Sequence, residues 1–287
     1  MINAVVSVIF VQLFCKQSRE WAKSNFMLNS VEIARLKKYL ENRNPFPVPT
    51  ENAVARAIAE NFPAIREEAR SLVRDSVWSP YFASDTYRGE WDLFWFKANG
   101  KADKENYARC PNTAAIVERF PEVRYAAFSA LVPGTHITPH SGIPGVVRIH
   151  LGVAVEEGKA GWKCNHESRE CRPGEVVLFE DGFEHEAWNW GDEPRITLML
   201  TIASPDLSEE DAEEIFRLHD KKYGWSYVLE KLASARGGVH RVLFRMISPV
   251  VRVLDPVINT AIFVLKPVFI LFMSRWAKKK TLIKSSP

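Results

Sequence analysis

The first part of the chain shows apolar residues at helical spacing. Between Glu51 and Asp75 they recur every three or four positions, which predicts an amphipathic helix. Pro63 lies inside this run and should kink or split the helix, because proline has no N–H to donate. Residues 30–42 also predict a helix, with Asn29 as its N-cap.

After residue 90 the pattern changes to short apolar runs separated by turn residues. We predict a helix at 112–120 and strands at 91–96, 124–132, 146–155, 161–164, 175–179, 185–188 and 195–202. Short strands at this spacing are typical of a sandwich, barrel or jelly roll. A helix follows at 207–219, and the remainder is predicted to be helical and increasingly basic.

Two of the predicted strands carry polar side chains on one face only. Alternation along 146–155 places Arg148 and His150 opposite a purely aliphatic face, and Arg195 has the same position in 195–202. We expect the aliphatic faces to pack in a core and the polar faces to line a cavity. Two arginines there suit a dianionic ligand. The alternative is that they pair with acids nearby, such as Glu180, Asp181 or Asp192.

Two histidines close to these strands are candidate metal ligands. His140 and His185 carry imidazoles, which suit iron, zinc or copper, and two histidines with one carboxylate form an open Fe(II) site. The usual form is His-x-Asp or His-x-Glu, but Gly142 stands at that place here. Asp181 is predicted to form a turn, and a surrogate ligand is the alternative role for it.

The motifs around these residues resemble those of the aspartyl/asparaginyl β-hydroxylase family. The matching stretches are LVPGTHITPHSG (131–142), VRIHLGV (147–153), PGEVVLFEDGFEHEAWN (173–189) and RITLMLTI (195–202). The resemblance covers residues 90–207 and, more loosely, 26–90. It implies a double-stranded β-helix, or jelly roll.

The resemblance also implies an iron site and a cosubstrate site. His140 and His185 would bind Fe(II), and Gly142 matches the family's loss of the carboxylate ligand, whose place a water would take. The cosubstrate 2-oxoglutarate would be held by four further residues: Ser129 and Arg195 at its C5 carboxylate, and Arg148 and His150 at its C1 end.

The implied activity is hydroxylation with Fe(II), 2-oxoglutarate and O2, most directly of Asp or Asn side chains in a peptide or protein. One alternative is an acyl-chain hydroxylase of the lipid A type. The apolar ends of the chain favour this alternative. The His-x-Asp motif of lipid A-type hydroxylases counts against it, because this chain has Gly142 at the place of the aspartate. A halogenase is another, since a missing carboxylate leaves room for chloride. A further alternative is a membrane-tethered binding module without enzymatic activity. The presence together of Ser129, Arg148, His150 and Arg195 argues against it.

Charge is distributed unevenly along the chain. Residues 240–287 contain nine basic residues and one acid, so the net charge of +3 hides an acidic body and a basic tail. The apolar run at 256–273 is interrupted by Lys266-Pro267, and the run at 2–14 is shorter than the roughly 20 residues of a spanning helix. We expect residues 240–287 to bind an anionic membrane surface, and we expect no nucleic-acid partner. The alternative is a pair of buried helices.

These patterns predict three segments: an apolar N-terminal segment (1–25), a dioxygenase jelly roll (26–207) and a helical C-terminal region (208–287) that associates with membranes. The fold class is therefore mainly β, with N-terminal helices and a basic, membrane-seeking tail. Four cysteines without a CxxC pair favour free thiols in a reducing, cytoplasmic compartment. A disulfide between Cys164 and Cys171 is the alternative.

Overall fold

The structure is a computed structural model that describes residues 39–73, 77–81 and 86–220. The predictions for the apolar N-terminal segment, for most of the helix at 30–42 and for the basic tail lie outside these residues. None of the helices in the described ranges is both long and apolar enough to cross a bilayer.

The amphipathic segment after residue 50 forms two helices, α1 (Ala53–Glu60) and α2 (Phe62–Val73). The Asn52 side chain caps α1 by accepting a hydrogen bond from the Ala55 N–H at 3.0 Å. Pro63 lies in the first turn of α2, where a helix needs no N–H donor. The predicted split at this proline is therefore confirmed.

Twelve strands follow in the described residues, with two helices, α3 (Lys104–Arg109) and α4 (Pro111–Arg119), between β4 and β5. The strands are β1 (Ser79–Pro80), β2 (Tyr87–Arg88), β3 (Trp91–Ala98), β4 (Lys101–Ala102), β5 (Tyr125–Leu131), β6 (Thr135–His140), β7 (Val146–Ala154), β8 (Ala160–Cys164), β9 (Glu167–Glu170), β10 (Val176–Glu180), β11 (His185–Asn189) and β12 (Arg195–Ala203). Residues 209–220 form a last helix.

The strands form two antiparallel sheets. The first has the order β1-β3-β5-β12-β7-β10, with β4 also paired to β3, and the second has the order β2-β6-β11-β8-β9. From β5 to β12 the chain passes back and forth between the sheets, and only β8 and β9 are consecutive within one of them. This winding is that of a double-stranded β-helix, so the predicted jelly roll is confirmed.

The main core lies on the outer face of the first sheet, against the helices. Ile58 of α1 and Ile65 of α2 pack there with Ile149 of β7 and Leu198 of β12. Because side chains alternate along a strand, the opposite faces of β7 and β12 look towards the second sheet. The predicted division of these strands into an aliphatic and a polar face is confirmed.

The cysteines of the described residues are free thiols. Cys164 ends β8, whereas the N–H of Cys171 bonds to the carbonyl of Ala160 at the other end of the same strand. The two therefore lie about 13 Å apart along β8, too far for a disulfide. The preference for free thiols is confirmed, and the alternative disulfide is wrong.

Candidate active site

A cavity of about 980 Å³, measured to its open mouth, lies between the two sheets. Its lining includes all six residues predicted for the site: Ser129, His140, Arg148, His150, His185 and Arg195. They come from β5, β6, β7, β11 and β12, so the jelly roll brings together residues that are far apart in sequence.

The two candidate metal ligands are neighbours across the second sheet. His185 of β11 pairs with His140 of β6, and their ring centroids are 4.3 Å apart. Nδ1 of His140 lies 2.8 Å from the carbonyl oxygen of Thr138, and Nδ1 of His185 lies 2.9 Å from that of Phe183. A carbonyl accepts only from a protonated nitrogen, so the lone pair of each ring is on Nε2, as a metal ligand requires.

Burial keeps His185 in the form that binds metals. Desolvation, helped by the nearby His140 ring, lowers the pKa of His185 to about 4. The imidazole is therefore neutral at physiological pH, and its Nε2 lone pair need not first lose a proton.

The carboxylate of Asp181 occupies the space beside Gly142. A Cβ atom on Gly142 would lie 1.6 Å from Oδ2 of Asp181, and Oδ1 of Asp181 is 3.6 Å from Nε2 of His185. A carboxylate is thus present next to the histidine pair, although it comes from the loop before β11. The predicted turn at Asp181 is confirmed, but its side chain is 2% exposed and lines the cavity.

Arg148 holds this carboxylate in place. Its Nε donates to Oδ1 of Asp181 at 2.8 Å, while the N–H of Ile143 donates to Oδ2 at 3.0 Å. Burial raises the pKa of Asp181, but the Arg148 guanidinium and the nearby His185 and His219 rings together outweigh burial and keep the pKa below its usual range. Arg148 thus pairs with a nearby acid, while its predicted role at the C1 end of 2-oxoglutarate stays a prediction.

Arg195 is buried without a matching acid. It is 3% exposed, its guanidinium lies 4.1 Å from the centre of the Trp162 ring, and no carboxylate of the described residues is within ion-pair distance. Its Nε and Nη2 find no hydrogen-bond acceptor among the described residues. Unsatisfied buried donors are costly, so this guanidinium is suited to an anion that enters the cavity.

Ser129 and His150 line the cavity near the guanidinium of Arg195. Ser129 pairs in register with Thr197, and its Oγ accepts a hydrogen bond from Nε1 of Trp91 at 2.9 Å. His150 stacks on Phe179 with a centroid distance of 5.4 Å, and burial lowers its pKa well below the usual value. Both side chains are therefore neutral polar groups fixed by their neighbours.

Trp91 and His219 are among the lining residues that were not predicted from the sequence. Trp91 was recognised only as part of a strand, and no local pattern indicated that its indole N–H would fix Ser129. His219, from the helix at 209–220, enters the cavity beside Arg148. His219 lies well after β12 in the sequence, so its place in the cavity becomes apparent only from the way the helix packs on the sheet.

One side of the cavity is mainly aromatic. The large side chains there are Tyr81, Trp91, Trp95, Tyr125 and Met199. Tyr81 lies against Trp91 with a ring-centroid distance of 4.1 Å. This wall offers stacking and apolar contact, whereas the charged groups concentrate around the histidines and Arg195.

The donor set fits a divalent transition metal. Within the described ranges no group of three His, Cys, Asp or Glu side chains is placed to hold a metal ion. Two imidazoles whose Nε2 atoms can coordinate nevertheless provide borderline-soft nitrogen donors, and the ionised Asp181 balances the charge of a cation. This chemistry suits Fe(II) with two protein ligands.

Glu180, next to Asp181, should make stability depend on pH. Burial, ahead of repulsion from Asp181, raises the pKa of Glu180 from 4.5 to about 8. The folded protein then keeps a proton that the unfolded chain releases. The free energy of unfolding should therefore fall between pH 4.5 and about 8, by on the order of 5 kcal/mol.

Glu180→Gln should remove this pH dependence. The glutamine still offers an oxygen to the Gly145 N–H, which Glu180 binds at 2.7 Å, but it has no proton to lose. Urea unfolding at about pH 5 and about pH 9 would measure the difference, with the exposed Glu175→Gln as control. An equally steep loss of stability in Glu180→Gln would contradict this assignment.

Comparison with known proteins identifies the family to which the chain with this cavity belongs. The model of the Aspartyl/Asparaginyl beta-hydroxylase family matches residues 59–205, just over half of the chain. The chain belongs to this family. The matched range contains every residue of the aspartyl/asparaginyl β-hydroxylase-like site described above except His219.

Relatives of this chain are named for different substrates. An "Ornithine lipid ester-linked acyl 2-hydroxylase" of Rhizobium tropici is 32% identical over 164 residues, which are 53% of this chain and 57% of that protein. An "Aspartyl/asparaginyl beta-hydroxylase" of Mus musculus is 24% identical over 207 residues, 68% of this chain and 26% of that protein. This aspartyl/asparaginyl β-hydroxylase family member thus spans less than two thirds of either relative.

Proposed function

We propose that the protein is an Fe(II)- and 2-oxoglutarate-dependent hydroxylase. The observation that carries the proposal is the pair His140 and His185, 4.3 Å apart, in the same cavity as the unmatched guanidinium of Arg195. When bound, Fe(II) and 2-oxoglutarate would together supply the oxidising chemistry that places an oxygen atom from O2 on a C–H bond.

The protein's own residues bind and orient the reactants. His140 and His185 would hold the metal through Nε2. Arg195 would pair with the far carboxylate of 2-oxoglutarate, and the Ser129 hydroxyl would donate to the same group, because its oxygen already accepts from Trp91. The other end of 2-oxoglutarate would lie beside His150, which is neutral and therefore does not repel the metal.

Asp181 gives the site charge balance without a third ligand at position 142. Its ionised carboxylate lies 3.6 Å from Nε2 of His185 and is restrained by Arg148. The halogenase alternative needs a chloride in the space beside Gly142. The Asp181 carboxylate fills that space and would repel a second anion, which argues against halogenation.

We propose Asp or Asn side chains of a peptide or protein as the first candidate substrate. The family assignment and the name of the mouse relative support this choice. The mouth of the cavity is open, as a side chain presented by a larger molecule requires.

A lipid acyl chain is the second candidate, favoured by a separate observation. The aromatic wall formed by Tyr81, Trp95 and Met199 carries no charge and would suit an apolar chain. The Rhizobium tropici relative is named for an acyl 2-hydroxylase. Membrane binding through residues 240–287, with the catalytic domain in the cytoplasm, would bring such a substrate within reach, and nucleic acid has no part in either candidate.

One experiment separates the two candidates. The full-length protein is supplied with Fe(II), 2-oxoglutarate and O2, and is offered an Asp/Asn-containing peptide in one reaction and an ornithine lipid in mixed micelles in another. Mass spectrometry should detect a gain of one oxygen atom in one of them, together with stoichiometric succinate. Succinate formation without a gain of oxygen in either probe would reject both candidate substrates, and the absence of succinate from both reactions would reject the reaction itself.

Arg195→Met should weaken the binding of 2-oxoglutarate by about 100-fold, because charge-assisted hydrogen bonds contribute roughly 2 to 3 kcal/mol. Quenching of tryptophan fluorescence in the presence of Mn(II) would report binding, since Trp91 and Trp162 line the cavity. Arg172→Met, which removes a half-exposed arginine on the surface, is the matched control. Equal affinity in Arg195→Met and the control would refute the role of Arg195.

A further inference from the structure

The helix at 209–220 contributes a side chain to the cavity. His219, near the end of this helix, is 3% exposed and lines the cavity next to Arg148. The sequence predicts the helix but assigns it no part in the site, and the family model ends before it, at residue 205.

Contacts on several sides fix this helix on the first sheet. The hydroxyl of Tyr125 donates to the carboxylate of Asp220, and the Tyr125 ring lies 4.6 Å from that of His219. Phe216 is buried in a cluster with Tyr125. Farther out, Arg124 forms a salt bridge to Glu213 at 2.8 Å. His219 is therefore held in a defined position.

His219 binds the guanidinium that controls Asp181. Nε2 of His219 lies 3.3 Å from Nη2 of Arg148. A guanidinium has donors and no acceptor, so Arg148 donates and His219 accepts. Nη1 of the same guanidinium donates to Thr201 at 2.8 Å, and Nε donates to Asp181 at 2.8 Å. Each nitrogen of Arg148 thus has a partner that fixes its direction.

The position of Arg148 decides where the carboxylate of Asp181 can lie. Oδ1 of Asp181 is 3.6 Å from Nε2 of His185, so a small shift would make this carboxylate a third metal ligand. Its bond to Arg148 opposes that shift. Any contact that stiffens Arg148 therefore favours a metal site with only two protein ligands.

We propose that His219 is a positioning residue of the metal site: by fixing Arg148, it keeps Asp181 from coordinating the metal and so leaves coordination positions to the cosubstrates. The proposal rests on the proposed metal site at His140 and His185. It makes the helix after the jelly roll a part of the active site.

Co(II) binding by the full-length protein tests the proposal without any turnover. Outer hydrogen-bond partners of metal ligands typically change metal affinity by roughly 10- to 100-fold. His219→Leu removes the acceptor and should loosen Arg148, so that Asp181 joins the metal. We expect Co(II) to bind about tenfold more tightly, with a visible spectrum changed by the added ligand. Damage to the fold would instead weaken binding.

Four further variants make the result decisive. His219→Gln keeps an acceptor and should resemble the wild-type protein, as should Glu210→Gln, which alters the helix only at its exposed surface. Adding Asp181→Ala to His219→Leu should abolish the gain in affinity, because the effect passes through that carboxylate. Unchanged or weaker Co(II) binding in His219→Leu, or a glutamine variant that behaves like the leucine variant, would overturn the proposal. If Co(II) binds His185→Ala as well as wild type, the metal site itself is wrong.

Discussion

His185→Ala is expected to abolish Fe(II)-dependent formation of succinate, by roughly 1000-fold or more, because a centre with only two protein ligands loses half of its donors. The remaining His140 and the restrained Asp181 cannot hold the metal against water. Purified protein should also contain correspondingly less iron after reconstitution. Succinate formation and bound iron would be measured on the same samples.

His136→Gln is the matched control for this experiment. His136 lies on the same strand as His140, but its Nε2 is 2.7 Å from a carboxylate oxygen of Glu186, and it does not line the cavity. The control should retain both iron and activity. Activity in His185→Ala comparable to that of the control would show that the metal lies elsewhere.

Gly142→Asp is expected to inactivate the protein, although it restores the His-x-Asp pattern of three-ligand oxygenases. Its Cβ would lie 1.6 Å from Oδ2 of the buried Asp181. Overpacking of this kind costs about 1 to 3 kcal/mol, and two adjacent buried carboxylates add repulsion. We expect a loss of stability in thermal unfolding and a loss of 2-oxoglutarate turnover.

Combining Gly142→Asp with Asp181→Gly should relieve both problems. The second substitution removes the carboxylate that fills the space, so the new one at position 142 can enter it. The double variant should recover most of the lost stability and bind metal with three protein ligands. Equal damage in the single and double variants would mean that the two positions do not share one space.

Much of the fold follows from local patterns. The strands at β3, β5, β7, β8, β10, β11 and β12 were predicted within a few residues, because each alternates or runs apolar between turn residues. Five strands were missed: the two-residue strands β1, β2 and β4, and the longer strands β6 and β9. β6 contains Pro139, which weakens a strand pattern, and β9 is almost entirely polar because it lies at the edge of the second sheet.

The site was predictable where strand alternation determines it. Arg148, His150 and Arg195 stand out because each lies on one face of a strand whose opposite face is purely aliphatic. Asp181 was recognised as a turn residue only, because its role depends on the missing side chain of Gly142, some 40 residues earlier. Such long-range complementarity has no local signal, and the same holds for His219 and for the bond from Trp91 to Ser129.

The central claim is that His140 and His185 form a two-histidine Fe(II) centre next to a 2-oxoglutarate site at Arg195. The most direct measurement is anaerobic addition of 2-oxoglutarate to the Fe(II)-loaded protein, followed by visible absorption, because chelation of Fe(II) by a 2-oxo acid gives a charge-transfer band. We expect a band in the wild-type protein that is absent from His185→Ala and needs a much higher 2-oxoglutarate concentration in Arg195→Met. No band in the iron-loaded wild type, or an equal band in His185→Ala, would contradict it.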